Sequence, residues 1–332
     1  MKNILVTGGA GFIGSNFITY FLKKYGSRFN IINVDKLSYA GDLRNLDEVN
    51  EFENYYFIEA NVTNRKLVEN TFKNFSIDTV IHFAAESHVD NSIDSPEVFV
   101  NSNIKGTFVL LDTARKMWDS GEDKLFIQMS TDEVYGSVGE TSDCFYENSP
   151  YRPSSPYSAS KASSDMLVEA YAKTYGLRAI IPRCSNNYGP RQHVEKLIPK
   201  IIKNVVERRP IPLYGDGKNI RDWTYVLDSC RAIDLLLHRG RANNTYNIGA
   251  ASEKSNVDVA ETICDIYDEK YSKSTESSRK LITFVDDRPG HDKKYSLNCE
   301  KLRREINWYP EKNFEVGILE TINWYMRNRY EK

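Results

Sequence analysis

The sequence is poor in cysteine and has no long hydrophobic run. Its 332 residues include five widely separated cysteines, with no CxxC pair, and five histidines without ligand spacing. We therefore expect neither a disulfide framework nor a bound metal. No apolar run approaches about 18 residues, the length of a membrane span, and glycines interrupt the apolar N-terminus, so we expect no signal peptide. These absences favour a cytoplasmic protein.

An excess of charge of one sign is also absent. The chain carries 44 Lys and Arg against 46 Asp and Glu, for a formal net charge of −2. This balance argues against a nucleic-acid partner, which would favour a basic surface. Hydrophobic residues make up 40% of the chain and charged residues 27%, as in ordinary globular proteins. At about 150 residues per domain, the length suggests two domains or one large one.

Short apolar runs alternate with helical patterns through the first half of the chain. The predicted strands are Ile4–Thr7, Ile31–Asp35, Tyr56–Ala60, Thr79–Ala85, Leu125–Ser130 and Arg178–Arg183. Helical spacing covers Pro96–Trp118 and Ser158–Tyr175. This alternation predicts an α/β fold with a Rossmann-type, doubly wound parallel sheet covered on both faces.

The rhythm changes after about residue 188, where strand signals become sparse. We predict a nucleotide-binding domain over residues 1–187 and a smaller, irregular α/β substrate domain over 188–332. A segment at about 220–249 is expected to return to the first domain through a strand at Tyr246–Gly249. Ser272–Lys280 has no apolar residue and is predicted to be an exposed loop. Phe314–Tyr330 has helical spacing.

A glycine-rich turn, TGGAGFIG, follows the first predicted strand at residues 7–14. Gly8 would permit the tight turn, Gly11 would let the backbone approach a pyrophosphate, and Gly14 would allow close helix–strand packing. The helix N-terminus adds free N–H groups for phosphate. Asp35 ends the next predicted strand, where a carboxylate accepts both ribose hydroxyls. The pattern therefore predicts a dinucleotide site with NAD preferred over NADP; Lys36 acts against this preference, but we expect the carboxylate to dominate.

Two further segments predict catalytic chemistry. Tyr157 and Lys161 form a YxxxK pair, whose side chains share one face of a helix. An ammonium group near a phenol lowers the pKa of the phenol. Thr131, Asp132 and Glu133 follow the fifth predicted strand. The threonine hydroxyl can lie beside the sugar hydroxyl that Tyr157 deprotonates, and two adjacent carboxyls can divide acid and base roles.

Several segments together resemble one enzyme family. TGGAGFIG, STDEVYG at 130–136 and YSASK at 157–161 resemble the extended short-chain dehydrogenases/reductases. The further segments AAESHVD (84–90), RCSNNYGP (183–190), EKLIP (195–199), LYGDGKNIRDW (213–223) and DRPGHD (287–292) resemble the sugar-nucleotide 4,6-dehydratases. The resemblance runs from residue 1 to about 325. The acid pair after Thr131 discriminates most, because similar epimerases and decarboxylases usually lack both acids.

The resemblance implies a reaction in which NAD stays bound and is regenerated. Tyr157 would activate the 4-hydroxyl of a hexose, Glu133 would remove the C5 proton, and Asp132, with a raised pKa, would protonate the leaving C6 hydroxyl. The implied substrate is dTDP-glucose, with UDP-glucose as the alternative, and the implied role is deoxysugar synthesis, often of rhamnose for surface polysaccharides. An NAD-dependent epimerase or decarboxylase, or a silent NAD-binding scaffold, is disfavoured by the intact catalytic set.

The cofactor and substrate contacts follow from matching positions. The predicted cofactor contacts are Gly8, Gly11, Phe12, Ile13, Gly14, Asp35, Lys36, Ser38, Gly41, Asn61, Val62, Ala84, Ala85, Ser87, Tyr157 and Lys161. The predicted substrate contacts are Ser87, His88, Thr131, Asn187, Lys196, Leu197, Tyr214, Arg221, Asn256, Arg288 and His291. The two arginines would bind the diphosphate, Tyr214 would stack on the pyrimidine, and His88 either lines the sugar pocket or is structural. Asn61 departs from the family, which usually has Asp there, and so loses the charge of an adenine contact.

The two long helical patterns carry apolar residues on more than one face. One face must cover the sheet, and a second predicts another partner. The resemblance implies a homodimer with a four-helix contact; the alternative is a thicker intramolecular core.

Overall fold

The computed structural model describes residues 2–118, 123–139, 144–272 and 274–330. The outermost residues of the two predicted domains, 1 and 331–332, and residue 273 of the predicted loop lie outside this description. The strands are β1 (Lys2–Thr7), β2 (Phe29–Asp35), β3 (Tyr55–Glu59), β4 (Thr79–His82), β5 (Leu125–Gln128), β6 (Ser130–Thr131), β7 (Ala179–Cys184), β8 (Asn186–Tyr188), β9 (Ile211–Tyr214), β10 (Ile220–Tyr225), β11 (Asn244–Ile248), β12 (Glu253–Ser255) and β13 (Ile282–Val285).

The α-helices lie between and after these strands. They are α1 (Phe12–Tyr25), α2 (Arg65–Phe75), α3 (Val89–Asp94), α4 (Pro96–Phe99), α5 (Gly106–Met117), α6 (Pro156–Tyr175), α7 (Leu197–Val206), α8 (Val226–Arg239), α9 (Asn256–Lys270), α10 (Glu300–Ile306) and α11 (Phe314–Tyr325). No helix within the described ranges is long and apolar enough to cross a membrane.

The main sheet is parallel throughout and has the order β11-β7-β5-β4-β1-β2-β3, with β6 also paired to β7. The predicted doubly wound α/β fold is therefore confirmed. Alternate residues of β1 pack into two apolar cores on opposite faces of the sheet. Ile4 and Val6 pack with α1 and α8, whereas Leu5 packs with α2, α5 and α6. Both faces of the sheet are thus buried, as a parallel sheet requires.

The chain leaves this sheet after β7 and returns to it once. β11 pairs with β7, and Tyr246 lies opposite Pro182. The other late strands form a three-stranded sheet, β12-β10-β8, and a parallel pair, β13-β9. Helices α7, α9 and α11 pack around a third apolar core there.

Several local predictions differ from the structure, including the predicted strand Thr79–Ala85, which ends at His82, and the predicted helix Phe314–Tyr330, which is π-helical from Met326. The predicted helix Pro96–Trp118 contains a π-helical segment, Val100–Lys105, between α4 and α5. The predicted strand Leu125–Ser130 is divided at Met129, after which β6 pairs with β7. The predicted exposed loop ends in a short 3-10 helix that begins at Ser278, which is fully buried and whose backbone N–H donates to Asp268 at 2.6 Å.

Candidate active site

A deep cleft lies at the carboxyl ends of the main-sheet strands, the edge at which doubly wound folds bind ligands. It is bordered by residues that end or follow β1 to β7. Every predicted cofactor contact and catalytic residue lines this cleft, as do the predicted substrate contacts Ser87, Asn187 and Lys196. In the described part of the chain, no group of His, Cys, Asp and Glu side chains could hold a metal ion.

In the turn between β1 and α1, neighbouring backbone atoms leave no room for a Cβ at two of the glycines. Gly8 has a φ of +72°, and a Cβ there would lie 2.6 Å from the Ala84 backbone. A Cβ on Gly14 would overlap the carbonyl oxygen of Gly8. Gly11 is different, because its added Cβ would meet only that oxygen, at 3.2 Å. Its backbone is therefore accessible from the cleft.

A carboxylate stands at the expected ribose position at the end of β2. Asp35 Oδ2 accepts a hydrogen bond from the Ala10 N–H at 3.0 Å, and Oδ1 accepts one from the Leu37 N–H at 2.9 Å. These bonds fix the carboxylate and leave lone pairs for hydroxyl donors. Lys36 acts only weakly against the preference of this carboxylate for NAD, since its ammonium pairs with Glu86 at 2.6 Å. This carboxylate, the accessible glycine backbone and the free N–H groups of the first turn of α1 fit an NAD molecule.

The catalytic candidates meet at the opposite end of the cleft. Thr131 ends β6, and Asp132 and Glu133 begin a 3-10 turn directly after it. The Thr131 hydroxyl donates to Asp132 Oδ1 and accepts from the Glu133 N–H, both at 3.3 Å. Tyr157 lies in the first turn of α6, whose start is fixed by a capping box between Ser155 and Ser158.

The two acids are held in a state that suits proton transfer. Asp132 is 1% exposed, and its Oδ2 has no hydrogen-bond partner among the described residues. Burial, and then the charge of Glu133, raise the pKa of Asp132 well above its usual range. Burial also raises the pKa of Glu133, while the charges of Arg221 and Arg288 limit the increase. A buried carboxyl that has an unpartnered oxygen and no cation in contact with it is most stable as the neutral acid.

The pKa of Tyr157 does not follow the expectation from sequence. Burial, and then the charge of Glu133, raise it well above its ordinary value, so the predicted lowering is wrong for this arrangement. The Lys161 ammonium, from which the lowering was expected, donates instead to the Met129 carbonyl oxygen at 2.5 Å. Burial lowers the pKa of Lys161 to about 8.

The predicted substrate contacts divide between the cleft and its surroundings. Lys196 donates to the Ser87 carbonyl oxygen at 2.6 Å. This bond joins the loop before α7 to the loop between β4 and α3. His88 caps α3, with its Nδ1 accepting from the Asn91 N–H at 3.3 Å. Leu197 begins α7, beside the cleft residue Lys196.

A second cluster surrounds Tyr214 at the end of β9. Its hydroxyl donates to Asp90 at 3.1 Å, and Arg288 donates to the other oxygen of Asp90 at 2.9 Å. The His291 ring lies edge-on to Tyr214, with a centroid separation of 6.0 Å, and Asp287 binds His291 at 2.6 Å. The structure thus brings three predicted substrate residues together and adds Asp90, which the sequence did not suggest.

The remaining two predicted substrate contacts are buried near this cluster. Arg221 is 5% exposed, with its guanidinium carbon 4.2 Å from the ring centre of Tyr295 and an N–H bound to the Asp292 carbonyl at 2.9 Å. Its charge nevertheless reaches Asp132 and partly opposes the rise in the pKa of that carboxyl that burial and Glu133 cause. Asn256 is the first residue of α9.

Sequence reasoning missed three polar residues that line the cleft, namely Gln192, His193 and Glu195. Gln192 Oε1, His193 Nδ1 and Glu195 Oε1 are buried without hydrogen-bond partners in the described ranges. Only their position in the sequence could have indicated them, since all three lie between or within the segments RCSNNYGP and EKLIP. Unpartnered polar atoms at a cleft wall are available to a polar ligand.

The sheet order, the glycine turn and the Thr131, Tyr157 and Lys161 constellation define an extended short-chain dehydrogenase/reductase that binds NAD. Residues 5–321 match the family model described as GDP-mannose 4,6 dehydratase. A curated relative, the dTDP-glucose 4,6-dehydratase of Salmonella typhimurium, is 48% identical over 98% of this chain and 93% of its own length.

Solved structures agree with these relatives. A dTDP-glucose 4,6-dehydratase from Bacillus anthracis in complex with NAD is 46% identical, with a TM-score of 0.87 over 99% of this chain and 97% of that one. One from Streptomyces venezuelae, with NAD and TYD bound, is 40% identical, with a TM-score of 0.92 over 98% of both chains. The chain belongs to the dTDP-glucose 4,6-dehydratase family.

Proposed function

We propose that the protein is an NAD-dependent hydro-lyase that converts dTDP-glucose into dTDP-4-dehydro-6-deoxy-glucose and water. The observation that carries this proposal is the acid pair of buried Asp132 and half-buried Glu133, beside Thr131 in the cleft that also holds Tyr157 and Lys161. An enzyme that only oxidised and reduced a sugar hydroxyl would need the tyrosine and lysine but neither acid. The named relatives support the same reaction.

The chemistry requires oxidation before elimination. The C5 hydrogen of a hexose is not acidic, but a ketone at C4 makes C5 an α-carbon. NAD, when bound, would supply the hydride acceptor for this oxidation and the hydride donor for the reduction at C6. Residues that line its binding cleft from Gly8 to Ser87 would hold it.

The side chains would divide the proton transfers. Tyr157 takes the proton of the 4-hydroxyl, with the Thr131 hydroxyl beside it and the Lys161 ammonium stabilising the phenolate. Glu133 removes the C5 proton and returns a proton to C5 when hydride adds to C6. Asp132, kept neutral by burial, gives its proton to the C6 hydroxyl as water leaves.

The substrate would extend from these residues toward the Tyr214 cluster. Arg221 and Arg288 are the cations proposed for the diphosphate, and Tyr214 is the aromatic face proposed for the base. Asn256 and His291 are proposed to complete this end. Lys196 and Asn187 line the cleft between the two ends.

The biological setting is proposed on the same family relationship. The enzyme would act in the cytoplasm, as a homodimer, in the synthesis of a deoxysugar such as rhamnose for a surface polysaccharide. Residues 1–187, with the segment at 220–249, would form the NAD domain, and 188–332 would mainly form the substrate domain.

A single incubation tests the reaction. The purified protein is given dTDP-glucose or, in a matched tube, UDP-glucose, and the sugar nucleotide is analysed by mass spectrometry. We expect loss of one water from dTDP-glucose, much faster than from UDP-glucose. Loss of water only from UDP-glucose would change the assigned base, and epimerisation without a mass change would overturn the dehydratase proposal.

A further inference from the structure

Asp165 is a buried carboxylate that the proposed reaction does not use. It lies one turn after Lys161 on α6 and is completely inaccessible. Its Oδ2 accepts hydrogen bonds from the Ser130 hydroxyl at 2.8 Å and from the Arg183 Nε at 3.0 Å. Because burying an ion pair costs desolvation free energy, a role beyond stability is worth testing.

Asp165 and Lys161 hold the same short segment of chain. The Lys161 ammonium donates to the Met129 carbonyl oxygen at 2.5 Å, and the next residue, Ser130, donates to Asp165. Residues four apart on a helix share one face. The carboxylate and the ammonium therefore stand on one face of α6 against two consecutive residues just before Thr131.

Three other titratable groups near Lys161 carry no negative charge near neutral pH, and the ionised Glu133 of the same cleft acts on Tyr157. The three are Tyr157 on α6, Cys184 on β7 and His82 at the end of β4. Burial raises the pKa values of the tyrosine and the cysteine, and burial with the charge of Lys161 lowers the pKa of His82 to about 3. Burial lowers the pKa of Lys161 to about 8, and the charge of Asp165 opposes that decrease.

Asp165 in turn depends on a cation from β7. Burial raises the pKa of Asp165, and the charge of Arg183 acts most strongly against this increase. The Arg183 guanidinium lies between the rings of Tyr135 and Tyr151, at 4.9 and 4.6 Å from their centres, and its other charged neighbour is Glu169 on α6, at 3.5 Å. Burial raises the pKa values of both tyrosines, so they stay neutral.

We propose that Asp165 is a positioning residue that keeps Lys161 in its ammonium form at the catalytic tyrosine, and that Arg183 keeps Asp165 in its carboxylate form. The inference rests on the proposed function for the task of Lys161. It assigns Asp165 no contact with the substrate or NAD.

The primary test is the pH dependence of Asp165→Asn, which removes the charge with little change in shape. Without the carboxylate, Lys161 loses its proton at a lower pH. We expect the alkaline limb of kcat/KM for dTDP-glucose to move down by roughly one to two pH units. Asp165→Glu, which keeps the charge, should restore the wild-type limb, and Ser130→Ala, which removes only a hydrogen bond to Asp165, should leave it in place.

Asp165→Asn leaves Arg183 buried without its partner and is at risk of unfolding. The double variant Asp165→Asn/Arg183→Met removes both charges and fills the space between the two tyrosine rings. It should fold and show the same shift of the alkaline limb.

A second measurement needs no turnover. NMR of the holoenzyme with isotope-labelled lysine follows the deprotonation of Lys161 directly. The proposal is overturned if Lys161 titrates at the wild-type pH in both asparagine variants, with activity reduced equally at all pH values. If no variant, including wild type, acts on dTDP-glucose, the proposed function fails, and the NMR titration still decides the role of Asp165.

Discussion

At the scale of single residues, the cleft separates two carboxyls by environment. Asp132 is almost fully buried and retains one unpartnered oxygen, whereas Glu133 lies within the influence of Arg221, Arg288 and Lys196. Positive neighbours favour the ionised form of Glu133, and burial next to Glu133 favours the neutral form of Asp132. This difference assigns the base and the acid.

Asp132→Asn should separate proton removal at C5 from elimination. The amide cannot protonate the leaving hydroxyl, so product formation should fall by about 10²–10⁴-fold. Glu133 remains, and dTDP-glucose recovered from deuterated water should still gain deuterium at C5, measured by mass spectrometry. Glu133→Gln is the matched control and should lose both product and exchange. Exchange abolished by Asp132→Asn, with Glu133→Gln still exchanging, would reverse the two roles.

The sequence predicted which residues form this site better than it predicted their pKa values. Tyr157 and Lys161 are recognisable because their spacing on one helix is local. The raised pKa of Tyr157 depends on burial and on Glu133, which are properties of the folded cleft. Gln192, His193 and Glu195 carry no spacing of their own, and only the loop between β8 and α7 brings them to the cleft wall.

At the scale of elements, two glycines of the turn between β1 and α1 have different roles, one in helix–strand packing and the other in access of a ligand to the backbone. Gly14 lies against the carbonyl of Gly8, while Gly11 has a φ of −77° that any residue adopts and an added Cβ that faces little protein. Gly14 is therefore needed for the packing of α1 on β1, and Gly11 for the close approach of a phosphate to the backbone.

Gly14→Ala and Gly11→Ala should have different effects. The first forces the helix away from the strand, and we expect it to cost about 1–3 kcal/mol of stability, seen as a lower thermal midpoint. The second should keep the midpoint and weaken NAD binding about tenfold or more, a loss of about 1.4 kcal/mol, measured by calorimetry on protein freed of NAD. An equal fall of the midpoint in both variants would contradict this division.

The strands of the main sheet were more predictable than the helices beside them. The buried strands β2 and β7 each contain a short apolar run, Ile31–Ile32 and Ala179–Ile181, and each is followed by a turn or a polar residue. The π-helical segment Val100–Lys105 has no comparable signature, because it arises where α4 and α5 pack against α6. β11 joins the sheet from a distant part of the chain, so its neighbour in the sheet is not encoded locally.

At the scale of the whole molecule, one surface combines several exposed apolar side chains. Val98 on α4, Phe108 on α5, and Met166 and Tyr175 on α6 are 46%, 40%, 48% and 54% exposed. Helices α5 and α6 cover the sheet with their other faces. Exposed apolar groups on adjacent helices are typical of a protein interface, and they support the proposed four-helix homodimer.

Met166→Glu should therefore convert a dimer into a monomer. Two copies of a buried charge without a partner would stand near each other in a symmetric contact, and their desolvation would oppose association. Light scattering after gel filtration should give twice the chain mass for wild type and a single chain mass for the variant. Phe284→Glu is the matched control, because Phe284 is 57% exposed but lies on β13, away from α6. The proposed contact is wrong if Phe284→Glu, and not Met166→Glu, dissociates the protein, or if wild type is itself a monomer.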